Sequence, residues 1–577
     1  MTKQSAYQTL LTNDPIDNYE DPERYQKEWL PKVEAYRKAR EASIPKDLKV
    51  ELPKDRSELI QEQFNPLAYL YDAKLLTPEE FAITDSSGVE LVNKMSKGEL
   101  TAVQVFNAFA KRAVICNQFT NCAMEFFLEE GLKQAEARDQ YFKENGKIVG
   151  PLHGLPISLK EHIAYKGRIT NAGYVSLLDN VSEEHAVTPK ILEKLGAVFY
   201  VRTNQPQTLM HLDGNNNLIG NTQNPHNLLL SSGGSSSGEG AITGFGGSVI
   251  GVGSDIGGSI RAPAAYSGSI GLRPTTRRIS GFGSISSQKG QESVPGVAGP
   301  LARTVEDIEL WMKSYINEGK PWNYDHWSLP LQWRDVTQPK PTEITIAVIR
   351  DDGLVRVTPP IRRGLEETVN KLKAAGVKII EWTPPRTQLA YETVHKMYSA
   401  DGNAAQRKLL AASGEPITKL TRWSLNYGQG ARDIPASENR NLNVIRDDLR
   451  HEYSQFLTEN NVDAILSPVY SNVAPHSEEV YGWSYTSLFN LLDFPTLAFQ
   501  TGLYQDPKVD KWTEEDLKYK YRNDIEKLEN ENYHPDEFVG APIGLQLSGR
   551  RYFDEEVCAI GKTIIQTLGV DLLKQSK

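Results

Sequence analysis

The chain has 577 residues, 39% hydrophobic and 24% charged, with a formal net charge of −10. This is the make-up of a globular protein with ample material for a large core, and its acidic balance gives no electrostatic ground for nucleic acid as a partner. Its three cysteines, Cys116, Cys122 and Cys558, include no CxxC pair, which argues against a disulfide framework or a cysteine zinc site and for a reducing compartment.

Residues 1–11 lack a basic stretch followed by an apolar run, so no signal peptide is expected. No segment reaches the about 18 apolar residues that cross a bilayer. A soluble, cytoplasmic protein is the expectation. In chain order, residues 15–85 read as helical, with Trp29, Val33 and Tyr36 at helical spacing in a charged background. Thr77-Pro78-Glu79-Glu80 reads as a capping box with proline at the first helical position. Thr101 opens a further helix that places Val103, Phe106, Ala110 and Ala113 on one face.

From about residue 140 helices and strands alternate. The pattern predicts a helix over 189–195 and a strand over 197–201. A strand follows over 344–349, then a helix over 361–375 closed by Gly376, and a strand over 377–382. Further buried strands fall at 464–466, 496–499 and 543–547. Short apolar runs between helices predict an α/β architecture with a largely buried sheet. Residues 505–537 are strongly charged and read as a solvated surface insertion.

Residues 231–271 are crowded with Gly and Ser, the composition of a flexible linker. Apolar residues interrupt the run at Ala241-Ile242, Val249-Ile250 and Ile260. Charges stand at Glu239, Asp255 and Arg261, and Ala262-Pro263-Ala264-Ala265-Tyr266 has little linker character. The glycines therefore read as placed for backbone conformations that a side chain forbids. Acyl transfer uses such backbone: N–H groups aimed at the oxygen of a tetrahedral intermediate. Ile256-Gly257-Gly258-Ser259 reads as an oxyanion hole leading to a serine nucleophile.

That serine needs a base. His153, His162, His211 and His226 lie in the same half of the chain, but no Ser-His-Asp order is apparent, and each reads as a structural or surface residue. Lys160 ends the apolar segment Pro151-Leu152-His153-Gly154-Leu155-Pro156-Ile157-Ser158-Leu159-Lys160. A buried lysine loses the solvation of its charged form and serves as a neutral base. Taken alone, a lysine after a strand more often points to solvent.

Together these segments resemble the amidase-signature family from about residue 75 to the C-terminus. The resemblance is carried by Gly154-Leu155-Pro156-Ile157-Ser158-Leu159-Lys160, Gly233-Gly234-Ser235-Ser236 and Asp255-Ile256-Gly257-Gly258-Ser259-Ile260-Arg261-Ala262-Pro263. Behind these come Gly271-Leu272-Arg273-Pro274-Thr275, Gly299-Pro300 and Gly544-Leu545-Gln546-Leu547-Ser548-Gly549-Arg550. The order lysine, serine, serine is the specific part.

The resemblance implies an amide hydrolase without metal or organic cofactor, releasing acid and ammonia or amine. Ser259 is the implied nucleophile. Ser235, on a cis peptide, relays its proton to Lys160. The amides of Ile256, Gly257, Gly258 and Ser259 are the implied oxyanion hole, and Leu209 and Met210 border the substrate. Asp255 and Arg261 are expected to pair and hold the loop. The implied fold is one large α/β domain over 86–577, a twisted mixed sheet covered by helices, after a helical extension over 1–85. A homodimer is also implied.

The chain looks like the fungal acetamidase or general amidase branch, and is similar to fatty-acid amide hydrolases around Glu239 and 255–263. It departs from the family at Glu161, at Ser237 and in His211-Leu212-Asp213-Gly214. Short aliphatic, aryl and long-chain amides all fit the sequence. Three rivals stand beside this reading. One is a serine esterase of the α/β-hydrolase type, since Gly234-Ser235-Ser236-Ser237-Gly238 satisfies G-x-S-x-G with Ser236 as nucleophile. The others are a subunit of a glutamine-dependent transamidase and a non-catalytic binding protein on the same scaffold.

Overall fold

A computed structural model describes residues 19–426 and 432–574. The reading of residues 1–11 lies outside them. The centre is an eleven-stranded mixed sheet in the order β1-β3-β2-β4-β6-β5-β10-β11-β9-β7-β8. The strands are β1 (Ala123–Phe126), β2 (Pro156–Lys160), β3 (Val198–Thr203), β4 (Ile250–Asp255), β5 (Ile270–Arg273), β6 (Val297–Ala302), β7 (Thr345–Val348), β8 (Lys378–Glu381), β9 (Ala464–Pro468), β10 (Thr496–Tyr504) and β11 (Pro542–Ser548). β3, β2 and β4 run parallel, as do β9, β7 and β8, and the strands between these groups pair antiparallel.

Period-two alternation divides the interior. Ile346 and Val348 of β7 and Ala464 and Leu466 of β9 enter one core, while Ala347 and Ile465 between them enter the other. A sheet buried on both faces explains why these strands read as short apolar runs. The capping boxes at Thr77 and Thr101 are formed. The helix after Thr101 buries Phe106, Ala110 and Ala113 and leaves Val103 half-buried.

Two segments outside the sheet pack into the body of the protein. The N-terminal helices do not stand apart: Leu59, Leu67 and Leu70 belong to the same core as Phe109 and the sheet. The charged insertion is solvated on its outer side only, because its helix Asp524–Glu531 buries Ile525, Glu526, Leu528 and Glu529. Glu529 accepts from the Tyr470 hydroxyl and from the N–H groups of Tyr481 and Gly482. Asp516 pairs with Arg362 at 2.8 Å. Its acidic groups thus meet partners on neighbouring elements, which composition alone does not reveal. Among the described residues no helix is long and apolar enough to cross a membrane.

Candidate active site

The parallel neighbours β2 and β4 end side by side, and the chemistry-bearing residues of the sequence collect at those carboxyl ends, where open α/β sheets form ligand crevices. Lys160 is the last residue of β2. Ser158 lies two residues earlier on the same face, beneath the helix Ser237–Phe245. The glycines of the Gly/Ser run let that helix lie directly on the sheet. A Cβ on Gly251 of β4 would sit 2.0 Å from Glu239 Oε2.

The Lys160 ammonium nitrogen is fully buried. It donates to Ser235 Oγ at 2.6 Å and to Ser254 Oγ at 3.0 Å. Burial pushes its pKa down to about 7, against the opposing pull of Asp255 and Glu239. The Gly234–Ser235 peptide is cis. Its approach is held by Asp213, whose carboxylate accepts from Ser231 Oγ at 2.6 Å, while Ser231 Oγ accepts from the Gly233 N–H at 3.0 Å. This gives the His211-Leu212-Asp213-Gly214 segment a structural task. Glu161, the other departure, accepts from the N–H groups of Asn171 and Ala172 at 2.7 and 3.0 Å and fixes the loop beside the site.

Ser259 follows β4 and lines the same cavity as Ser235. The Ser236 N–H donates to the Ser259 carbonyl at 3.2 Å, which ties the two serine segments together. The Ser236 hydroxyl is buried, donating to the Ser254 carbonyl and accepting from the Ser254 N–H, both at 3.2 Å. No strand of the sheet leads directly into Ser236: residues 228–232 contribute only isolated bridges. The strand-to-helix elbow of an α/β-hydrolase is therefore not built here.

Asp255 and Arg261 pair as expected, at 3.1 Å and fully buried. Burial alone would raise the Asp255 pKa, but the Arg261 guanidinium and the Asn490 amide hold it far below the usual range. Asp255 also accepts from the N–H groups of Gly258 at 2.8 Å and Ile260 at 3.1 Å. Of the expected oxyanion set, one amide is thus already engaged. The Gly258 N–H is committed to Asp255, so the candidate donors become Ile256, Gly257 and Ser259.

Carbonyl anchors set the direction of the remaining amides, because a planar trans peptide turns its N–H opposite to its C=O. The Ile256 carbonyl accepts from Tyr398 Oη at 2.6 Å, which orients the Gly257 N–H. The Gly257 carbonyl accepts from Thr486 Oγ1 at 2.6 Å. The Gly258 carbonyl accepts from the Ala262 N–H at 2.8 Å, which orients the Ser259 N–H. Gly258 has φ of +126°, and a Cβ there would lie 2.6 Å from Thr486 Oγ1.

The cavity measures about 480 Å³. Leu209 and Met210 both line it, with Ile163, Ile279, Phe282 and Trp327. Sequence reasoning missed Ser254, Tyr398 and Thr486, and set aside His162, which also lines the cavity. Ser254 had one available signal, its place beside Asp255 on a strand parallel to that of Lys160. Tyr398 and Thr486 arrive from distant helices and carry none.

The sequence matches the family model Amidase over residues 104–558. It is 38% identical to a putative amidase of Schizosaccharomyces pombe, over 94% of this chain and 99% of that one. It is 39% identical to an acetamidase of Emericella nidulans, over 86% and 91% of the two chains. A solved structure titled fatty acid amide hydrolase superposes with a TM-score of 0.97 at 68% identity, covering 98% of this chain and 100% of that chain.

Proposed function

The chain belongs to the amidase family and is an amide hydrolase, and from that premise we propose that it cleaves amides of long apolar acyl groups by a Ser259–Ser235–Lys160 relay. The observation that carries the relay is the fully buried Lys160 amine 2.6 Å from Ser235 Oγ. A lysine held near pKa 7 is neutral often enough at physiological pH to accept a proton.

Ser259 Oγ attacks the amide carbonyl carbon, its proton passes to Ser235, and the Ser235 proton passes to the Lys160 nitrogen. Negative charge on the substrate oxygen is met by the amides of Ile256, Gly257 and Ser259. The relay then returns a proton to the leaving nitrogen, and ammonia or amine departs. Water enters by the same route and releases the acid from the acyl-enzyme. Free buried Cys116, Cys122 and Cys558 support a reducing, cytoplasmic setting, and a homodimer belongs to the same proposal.

Two observations favour a long acyl group. The cavity falls in the size range that encloses drug-sized ligands, and Ile163, Leu209, Met210, Ile279, Phe282 and Trp327 give part of its wall an apolar surface among polar lining residues. The relative at 68% identity is titled a fatty acid amide hydrolase. An acetyl group would leave most of this volume unfilled, while each buried methylene contributes about 0.8 kcal/mol, or roughly fourfold in kcat/KM. The test is a series of primary amides of increasing acyl length, with fluorophosphonate labelling mapped by mass spectrometry. Rising kcat/KM with chain length and label on Ser259 support the reading. A maximum at acetamide favours the acetamidase activity named in the 39%-identical relative, and label on Ser236 removes the relay.

A further inference from the structure

His162 lies two residues beyond Lys160, is buried and lines the cavity. Its Nδ1 is 2.9 Å from the Ile285 carbonyl oxygen and its Nε2 is 2.9 Å from Ser254 Oγ. The backbone repeats the first link, since the Ile285 N–H donates to the His162 carbonyl at 2.8 Å. Ser254 Oγ in turn accepts from Lys160 Nζ at 3.0 Å.

Heavy-atom positions together with the charge state of the ring fix the direction of the protons in this chain. A carbonyl oxygen only accepts, so Nδ1 of His162 carries the hydrogen. Burial and the neighbouring Lys160 push the His162 pKa down to about 3, so the ring is neutral and Nε2 is a lone pair. Ser254 must spend its single hydroxyl proton on that lone pair. It then faces Lys160 with lone pairs only and receives an N–H from it. A neutral amine has one lone pair, which Ser254 has no proton left to engage. That lone pair stays available to the Ser235 hydroxyl.

We infer that His162 is a positioning residue for amide hydrolysis: acting through Ser254, it holds the Lys160 amine with its lone pair turned toward Ser235. This rests on the proposal that Lys160 is the base. Without the Nε2 acceptor the Ser254 hydroxyl turns its proton to Lys160 and competes with Ser235 for the same lone pair.

The test is a double-mutant cycle on the full chain, His162→Phe, Ser254→Ala and the pair together. It is read as kcat and KM on one amide and as the rate of fluorophosphonate labelling of Ser259, with Lys160→Ala as reference. His162→Phe is expected to lower kcat between about 10- and 100-fold, the scale of a misplaced catalytic group, while KM stays within about twofold. Adding it to Ser254→Ala costs nothing further. His162→Gln, whose amide offers one donor for Ile285 and one acceptor for Ser254, retains more activity than His162→Phe, although Phe fills the space better. Ser254→Thr, which keeps the hydroxyl, retains more activity than Ser254→Ala. Losses that multiply in the double variant overturn the inference, as does a change mainly in KM or a Phe variant as active as the Gln variant. Labelling of Lys160→Ala at the wild-type rate would instead remove the base itself, and the inference with it.

Discussion

The Tyr398 hydroxyl donates to the Ile256 carbonyl at 2.6 Å. Tyr398 lies far along the chain from the Gly/Ser run, yet peptide planarity makes it the residue that aims the Gly257 N–H. Trp483 packs at the same place: a Cβ on Gly257 would lie 3.0 Å from its ring and 3.2 Å from Tyr398 Oη. The nest is therefore held from outside by side chains of two other helices, Thr387–Tyr398 and Ser484–Leu492, the second of which supplies Thr486.

Removing one oxyanion donor outright costs about 10²–10³ in rate. Tyr398→Phe leaves the amide in place and releases only its anchor, so a loss of about 10-fold in kcat with little change in KM is expected. Thr486→Val acts elsewhere. It strands the buried Gly257 carbonyl, whose peptide aims the Gly258 N–H at Asp255, and costs about 1–3 kcal/mol of stability. Steady-state kinetics and thermal melts on the two variants separate the effects. The same loss of kcat in both would mean that neither anchor acts through the amide it orients.

In the proposed relay, Lys160 must be neutral to accept the proton. Its folded pKa is lowered to about 7, so kcat/KM rises as pH climbs through about 7 and levels off above it. Lys160→Ala is expected to lower the rate by about 10²–10⁴ and to abolish that limb. Lys160→Arg does not restore it, because a guanidinium does not deprotonate. A limb at the same pH in the alanine variant would assign the titration to another group.

The parts of this protein that were readable in advance are those in which neighbours in sequence do the work. Capping at Thr77 and Thr101, the apolar strands and the Asp255–Arg261 pair all follow from local pattern. The Gly/Ser run was readable as folded backbone because Glu239, Asp255 and Arg261 interrupt it. The occupied Gly258 amide was not, since the successive small residues Gly257, Gly258 and Ser259 look alike until the direction of each peptide is known. The surroundings of His162 were not readable for a related reason: its partners Ile285 and Ser254 are both distant in sequence. Glu529 looked like a solvated charge because Tyr470, its partner, lies on another element.

Ser236 tests the rival nucleophile. Its hydroxyl is buried against the Ser254 backbone, as donor and as acceptor. Ser236→Ala is expected to keep the fluorophosphonate label on Ser259 and to lose less than about tenfold in rate, with a stability cost of about 1 kcal/mol for the lost hydrogen bonds. Complete loss of labelling would return the G-x-S-x-G reading to the front.

Glu239 gives a prediction in stability. Its carboxyl lies between the hydroxyls of Ser158 at 2.6 Å and Thr203 at 2.7 Å, fully buried above the Lys160 strand. Burial pushes its pKa from the ordinary carboxyl value of 4.5 up to about 8, against those hydroxyls and Lys160. The folded protein thus keeps a proton that the unfolded chain releases, and the stability it contributes is complete below about pH 4.5 and falls as pH rises through 8. Lys160 acts in the opposite direction, its lowered pKa making stability rise between about 7 and the ordinary lysine value of 10.5, but that part is common to both proteins compared. Glu239→Gln is uncharged at every pH and nearly the same shape. It should match the wild type in thermal stability near pH 5 and melt higher by on the order of a few degrees near pH 9. Its activity near pH 7 should remain within about threefold of the wild type, since the wild-type residue is already largely neutral there. Parallel melting curves across pH 5–9 would show that Glu239 is ionised in the folded protein, and would place a second carboxylate charge beside the Lys160 amine.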